Sequence, residues 1–366
     1  MLFDGWPLRY APASPPALHL FEILSALPAG VRPLLALPAA GGDEPANPQA
    51  AGENGAPYGR LFCPVYRPVA DTPTGQLRWQ QRVLPELARR VGAGFIHTTG
   101  ARPPLFSGAP VIISPAVDLS AAPTAKTFAG RLADALGRGG LRGSGAMLWP
   151  LDLPAPPAAG SLHRLPSYAH IAFHTPQPPL ETLPESYVLA PGALDDRALD
   201  LLSAAWSWAQ NGLGEDWVLI ACDLDDNSLE RLRGLCQDAG VGGHIERVSP
   251  VTLEERAALF QQAGAVIALG TMLPWADTLL HALAGTRPLV AEESPLTDAR
   301  AGPAAYLTAP GDARALGAAL ITVIVEEEVG EQLSHAARAR AAAWDRDAFS
   351  RGLAAAYGIK SEAEPA

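Results

Sequence analysis

The stretch 264–293, GAVIALGTMLPWADTLLHALAGTRPLVAEE, has the scaffold of a ligand site but few of the charges such a site is expected to carry. An apolar strand over 265–269 opens into a loop with Gly270, Pro274 and Trp275. A helix runs to 284, and Gly285 precedes a second apolar strand at 288–291. In open α/β folds ligands sit at the carboxyl ends of strands, where helix amides face anions. Asp277 offers a carboxylate, His281 a ring nitrogen, Arg287 a guanidinium and Trp275 an aromatic face. Glu292 and Glu293 follow the second strand. A plainer role is open to each: helix-dipole partner for Asp277, helix surface for His281, exposed ion pair for Arg287, solvated loop for the glutamates, packed aromatic for Trp275.

Elsewhere the reactive residue types are scattered. Cys63, Cys222 and Cys236 form no CxxC pair and suit small buried side chains. No HExxH occurs, and the His170/His174 spacing lies among prolines that break a common helix face. No metal and no cofactor is expected. His97 ends a short apolar strand over 93–97, where it either faces a ligand or serves as a local structural histidine.

The 366 residues favour two domains, because one core seldom grows beyond about 250–300 residues. The 36 Pro and 35 Gly are not periodic, which excludes a collagen-like chain and implies stiff surface loops. Net charge is −11, and no Lys/Arg cluster interleaves with aromatics, so nucleic acid is not an expected partner. The average charge also disfavours an anionic membrane, although a basic patch assembled in three dimensions would not show in the sequence. No run reaches the roughly 18 apolar residues of a spanning helix, and the N-terminus lacks a cleavable apolar core. The chain reads as cytoplasmic.

The elements that must position these residues alternate cleanly in the second half. Strands at 218–222, 244–248, 265–269 and 289 onward are separated by helices over 228–239, 253–262 and up to 284; Thr252 and Glu255 make a capping box. A short edge strand at 304–309 and helices over 312–325 and 326–344 follow. This order specifies a doubly wound parallel sheet. The first half alternates less regularly: helix 17–27, strand 31–37, a polar loop over 41–59, helix 77–91, strands 93–97 and 111–113, helix 126–137 and a loop over 151–160. The Pro-rich passage 174–184 is the linker candidate. The expected domains are 1–177 and 178–345, with an extension 346–366 whose last residues, KSEAEPA, read as frayed.

Four passages resemble retaining, GT4-like glycosyltransferases of GT-B architecture. LPELARRVGAGFIH (84–97) is similar to the family's helix-then-strand passage ending in histidine, and 111–119 to its following strand and loop. LPESYVLAPG (183–192) resembles the start of the donor domain, and HALAGTRPLV (281–290) resembles the Glu-Ala-x-x-x-Gly-x-Pro-Val-Val signature. The resemblance covers roughly 77–350. It implies two Rossmann-like domains facing a cleft, with transfer of a sugar from a nucleotide-sugar donor to an acceptor. It places Arg197, Gly270, Trp275, Asp277, His281, Arg287, Glu292 and Glu293 on the donor side, and His97 and Asp118 on the acceptor side.

The departures fall on the polar positions. The family's Glu-x7-Glu pair is replaced by Leu273 and His281; of its Arg and Lys at the diphosphate, Arg197 remains and Ala198 stands for the other, beside Asp195 and Asp196. Val117-Asp118 stands where His-Asp is usual, and the glycine loop before the first helix reads APASPPA. Two readings follow: a transferase with a rearranged site, or a non-catalytic GT-B protein that binds sugar or nucleotide or serves as structural partner to another protein.

Overall fold

The computed structural model describes residues 1–39, 62–119, 128–156, 160–192, 194–250, 252–270 and 272–359. The loop expected over 41–59 and the tail 360–366 lie outside them. The chain forms two compact units. Unit 1 comprises Met1–Ser167, Leu273–Ala276 and Asp345–Ala366; unit 2 comprises Tyr168–Met272 and Asp277–Trp344.

Unit 1 contains β1 (Leu2–Asp4), β2 (Leu34–Ala39), β3 (Cys63–Pro68), β4 (Ile96–Thr98), β5 (Val111–Ile113), β6 (Ala146–Pro150) and β7 (Ser161–Leu165). They form a seven-stranded sheet in the order β3-β2-β1-β4-β5-β6-β7, and each described pairing is parallel. The sequence reading misses β1, β3, β6 and β7. The first has only three residues and ends in Asp4; β3 carries Pro64 and Pro68, which an edge position tolerates.

The APASPPA segment is the start of a helix, Pro15–Ala26, with Ser14 extended before it. Its prolines take the first helical positions, where a missing N–H costs nothing. Leu20, Ile23 and Leu24 bury one stripe of this helix, and His19 and Glu22 are buried with them. A continuous helix follows β3, starting at Pro73, passing through a π turn at Trp79–Val83 and ending at Arg90. Thr72 caps it by accepting the Gly75 N–H at 2.9 Å.

Unit 2 contains β8 (Tyr187–Pro191), β9 (Val218–Cys222), β10 (Ile245–Val248), β11 (Ala265–Ala268), β12 (Leu289–Glu292) and β13 (Tyr306–Thr308). The parallel order β10-β9-β8-β11-β12-β13 reverses direction between β8 and β11. Strands such as VLIAC and AVIA are buried on both faces, as covered parallel sheets require. Helix Asp196–Leu213 packs Leu199, Leu202 and Trp206 into the core against Leu316 and Leu320 of helix Ala313–Val325. Each such side chain contributes roughly 1.5–3 kcal/mol by leaving water. The α/β class and the two doubly wound parallel sheets agree with the sequence expectation.

Candidate functional site

The carboxyl ends of β8 and β11 flank the topological switch point of unit 2, the place where a doubly wound sheet opens a crevice. The chain leaves β8 through Gly192 and β11 toward Gly270, with φ of +99° and +96°. Both values need glycine. A Cβ on Gly192 would lie 3.3 Å from Thr278 Oγ1, so this loop and the start of helix Thr278–Ala284 approach closely.

Both helices that begin at this edge are capped by aspartate. Asp195 accepts the Ala198 N–H at 2.8 Å, and Asp277 accepts the Leu279 N–H at 2.9 Å. These caps satisfy amides and put negative charge at the dipole ends that would otherwise attract an anion. Asp277 is buried, and the fully buried Arg300 lies 3.7 Å from its Oδ1.

Arg197 opens the helix after β8 and forms a two-point pair with Glu292 at the end of β12, at 3.0 and 2.7 Å. Glu292 also accepts the Gly311 N–H at 2.6 Å. The Arg197 hydrogen bonds hold the Glu292 carboxyl below the usual carboxylate range, against partial burial, with the Gly311 amide helping. Two residues read separately from the sequence are thus one unit. The guanidinium remains 59% exposed.

His281 is fully buried and stacks on Phe173 at 4.3 Å, with Phe260 edge-on at 5.8 Å. Burial, then the nearby Arg256 charge, holds its pKa well below 6.5, so it is neutral. Arg287 is half-buried and donates to the Gln261 carbonyl; burial lowers its pKa. Glu293 is exposed, and its backbone N–H donates to Thr308 O at 2.8 Å.

The remaining candidates lie in unit 1. Trp275 is buried, donates Nε1–H to Leu148 O at 3.2 Å and stacks on His19 at 4.8 Å. His97 is fully buried between Ser114 Oγ at 2.8 Å and Tyr357 Oη at 3.2 Å. Burial lowers its pKa to about 3. Asp118 is half-buried. In unit 2, His170 and His174 flank the single turn Ile171–Phe173, and His170 Nδ1 accepts the Ala172 N–H. Among the described residues no group of three or more His, Cys, Asp or Glu is placed to hold a metal ion.

Sequence reasoning missed two buried polar groupings. Asp4, at the end of β1, accepts from Trp79 Nε1 at 2.8 Å and Trp6 N at 3.0 Å, and burial raises its pKa. Arg256 makes a two-point pair with Asp223 at 2.9 and 2.7 Å beyond β9. Asp223 has a φ of +69°, unusual for a residue with a side chain, but no local motif announces it.

Two doubly wound parallel units in one chain define the GT-B fold. Solved structures of that fold are similar to this chain over nearly its whole length. The crystal structure of Anabaena HepE in complex with UDP and glucose aligns with a TM-score of 0.69 at 14% identity, covering 98% of both chains. WaaG, a glycosyltransferase involved in lipopolysaccharide biosynthesis, aligns with a TM-score of 0.68 at 14% identity, covering 99% of this chain and 100% of WaaG. Sucrose-phosphate synthase from Thermosynechococcus elongatus gives 0.66 at 15% identity, with 98% of each chain covered. No protein-family model matches the sequence, and no curated protein matches it.

Proposed function

We propose that this protein binds a nucleoside diphosphate sugar at the carboxyl edge of the unit 2 sheet and transfers the sugar to an acceptor hydroxyl. The observation that carries the reading is Arg197, an accessible guanidinium at the switch-point edge whose only ion-pair partner among the described residues is a single carboxylate. A fork of N–H donors that grips Glu292 at two points matches two oxygens of a diphosphate equally well. The donor class is supported by HepE, solved with UDP-glucose on a similar fold. In transfer, the acceptor oxygen bonds to the anomeric carbon as the bond to the diphosphate oxygen breaks. The electron pair leaves with the diphosphate, and Arg197 would stabilise the charge that grows there. Glu292, released by the exchange, is then available to accept from ribose or sugar hydroxyls.

Calorimetry with UDP, GDP, ADP and UDP-glucose tests this. Binding of at least one is expected, weakened at least about tenfold by Arg197→Ala, the scale of one charge-assisted contact. No heat from any of them at near-millimolar ligand would overturn the reading.

The burial of His281 under Phe173 favours a second reading, binding without turnover. That imidazole is closed off from a sugar, and Leu273 at the other end of the pair has no hydrogen-bonding side chain. Nucleotide release from a bound donor, with water or a mixture of sugar acceptors, separates the two: release supports transfer, and binding without release supports the second.

A further inference from the structure

The strand order of unit 2, β10-β9-β8-β11-β12-β13, is the 3-2-1-4-5-6 order of dinucleotide-binding sheets, with β8 as the first strand. In that arrangement the diphosphate lies beyond the first strand, and an acidic residue at the carboxyl end of the second hydrogen-bonds the ribose. Here β9 is the second strand, and the four residues after it read DLDD, 223–226.

The three carboxylates are not equivalent. Asp225 accepts the Ser228 N–H at 2.7 Å and caps the helix Asp226–Asp238. Asp226 is an exposed partner of Arg247. Asp223 is the one that is largely buried, with 13% of its side chain exposed. Its φ of +69° turns the chain sharply as it leaves the sheet, a conformation that a residue with a side chain keeps only where its surroundings hold it. Arg256 supplies that hold from helix Leu253–Gln262: its guanidinium, 4% exposed, grips both carboxylate oxygens, at 2.9 and 2.7 Å.

Asp223 also stands beside the turn that leads to Arg197. Pro191 and Cys222 are partners in register, and the Gly192 N–H donates to Cys222 O at 3.1 Å. The carboxylate thus starts one strand spacing, about 4.8 Å, from the strand whose end opens the site. His281, closed under Phe173, leaves the ribose to another strand end.

We infer that Asp223 accepts the 2′-hydroxyl of the nucleotide ribose, with Arg256 as the residue that positions it. This rests on the nucleotide reading above and leaves Glu292 for the sugar. A carboxylate has about four lone-pair sites, so the two bonds from Arg256 leave one on each oxygen for a hydroxyl. The guanidinium also offsets the carboxylate charge, which reduces repulsion of a diphosphate held at Arg197. The hydroxyl meets an acceptor whose orientation is already fixed, so little side-chain freedom is lost on binding.

Calorimetry of the full chain with UDP, GDP and ADP, each beside its 2′-deoxy form, tests this. The deoxy form of a nucleotide that binds should bind about tenfold more weakly, the scale of one hydrogen bond to a charged group. In D223G/R256M that difference should vanish. Removing both members together leaves no unpaired buried charge, and glycine suits the +69° backbone; the thermal midpoint checks the fold. Arg256→Lys keeps the charge without the two-point grip. It should weaken the ribonucleotide toward the affinity of the deoxy form and leave the deoxy form unchanged. Equal affinity of both forms for the unaltered chain would overturn this inference and leave the nucleotide reading standing. A difference that persists in the folded double variant would do the same, as would an R256K that weakens both forms equally. No binding of any of these nucleotides would overturn the nucleotide reading and this inference with it.

Discussion

Asp277 has the chemistry of a ligand contact and the surroundings of a structural residue. Its Oδ1 caps helix Thr278–Ala284 through the Leu279 N–H, and the guanidinium of Arg300 stands 3.7 Å away with no solvent exposure. Removing one member of a buried ion pair costs about 3–5 kcal/mol, because the other charge keeps its desolvation penalty. Asp277→Ala should therefore lose about that much in urea unfolding. Asp277→Asn, which keeps an oxygen for the cap but not the charge, should lose less; equal losses would assign the stability to the ion pair alone. The capping position was legible from the sequence, since an Asp just before an apolar helical run is a start signal. Arg300 was not, because nothing local links it to a residue on the far side of a strand. The same limit hid the Arg197–Glu292 pair, 95 residues apart, and the Trp275–Leu148 bond, 127 apart.

Local signals decided which elements could be read. Helix Leu253–Gln262 occupies the expected span, and its capping box is formed: Thr252 Oγ1 accepts the Glu255 N–H at 3.0 Å and Glu255 accepts the Thr252 N–H at 3.2 Å. This helix buries Leu253, Ala257 and Phe260, and Phe260 supports His281. Thr252→Ala should cost about 1 kcal/mol in urea unfolding, with nucleotide binding unchanged because the cap follows β10, the edge strand two positions from β8. A change in affinity as large as that from Arg197→Ala would show that the cap shapes the site. The strands of unit 2 announced themselves as short apolar runs between capped helices. In unit 1, β1 and β3 are short or proline-bearing and take their definition from the neighbours they pair with. Helix 73–90 begins four residues before its apolar pattern does, since Thr72 and Pro73 supply the start and the first turn is largely exposed.

At the scale of the whole molecule, buried imidazoles set the response to acid. His19, His97 and His281 are each held neutral by burial, with His97 lowered to about 3 and the other two well below 6.5. In the unfolded chain each takes a proton near 6.5. Above that value neither state is protonated and the three contribute no pH dependence. As pH falls below it the unfolded state binds protons that the folded state refuses, so stability declines. For His97 the decline continues down to about pH 3. The limiting slope is about 1.4 kcal/mol per pH unit for each histidine, or about 4 for the three. Asp4 acts in the opposite sense, because its raised pKa lets the folded state take up a proton before the unfolded one does. That compensation begins as pH falls through the raised folded value and ends near the unfolded 3.8; with a limiting slope of about 1.4 kcal/mol per pH unit it offsets about one of the three histidines. The weakening of the Arg197–Glu292 pair waits for pH below 4.5. Urea titrations should therefore show a lower free energy of unfolding at pH 5 than at pH 7. His97→Gln should reduce the difference by roughly 1.4 kcal/mol per pH unit crossed, whatever it does to stability at pH 7. An unchanged slope in that variant would mean that His97 takes up its proton without unfolding, and that its pocket between Ser114 and Tyr357 tolerates the charge.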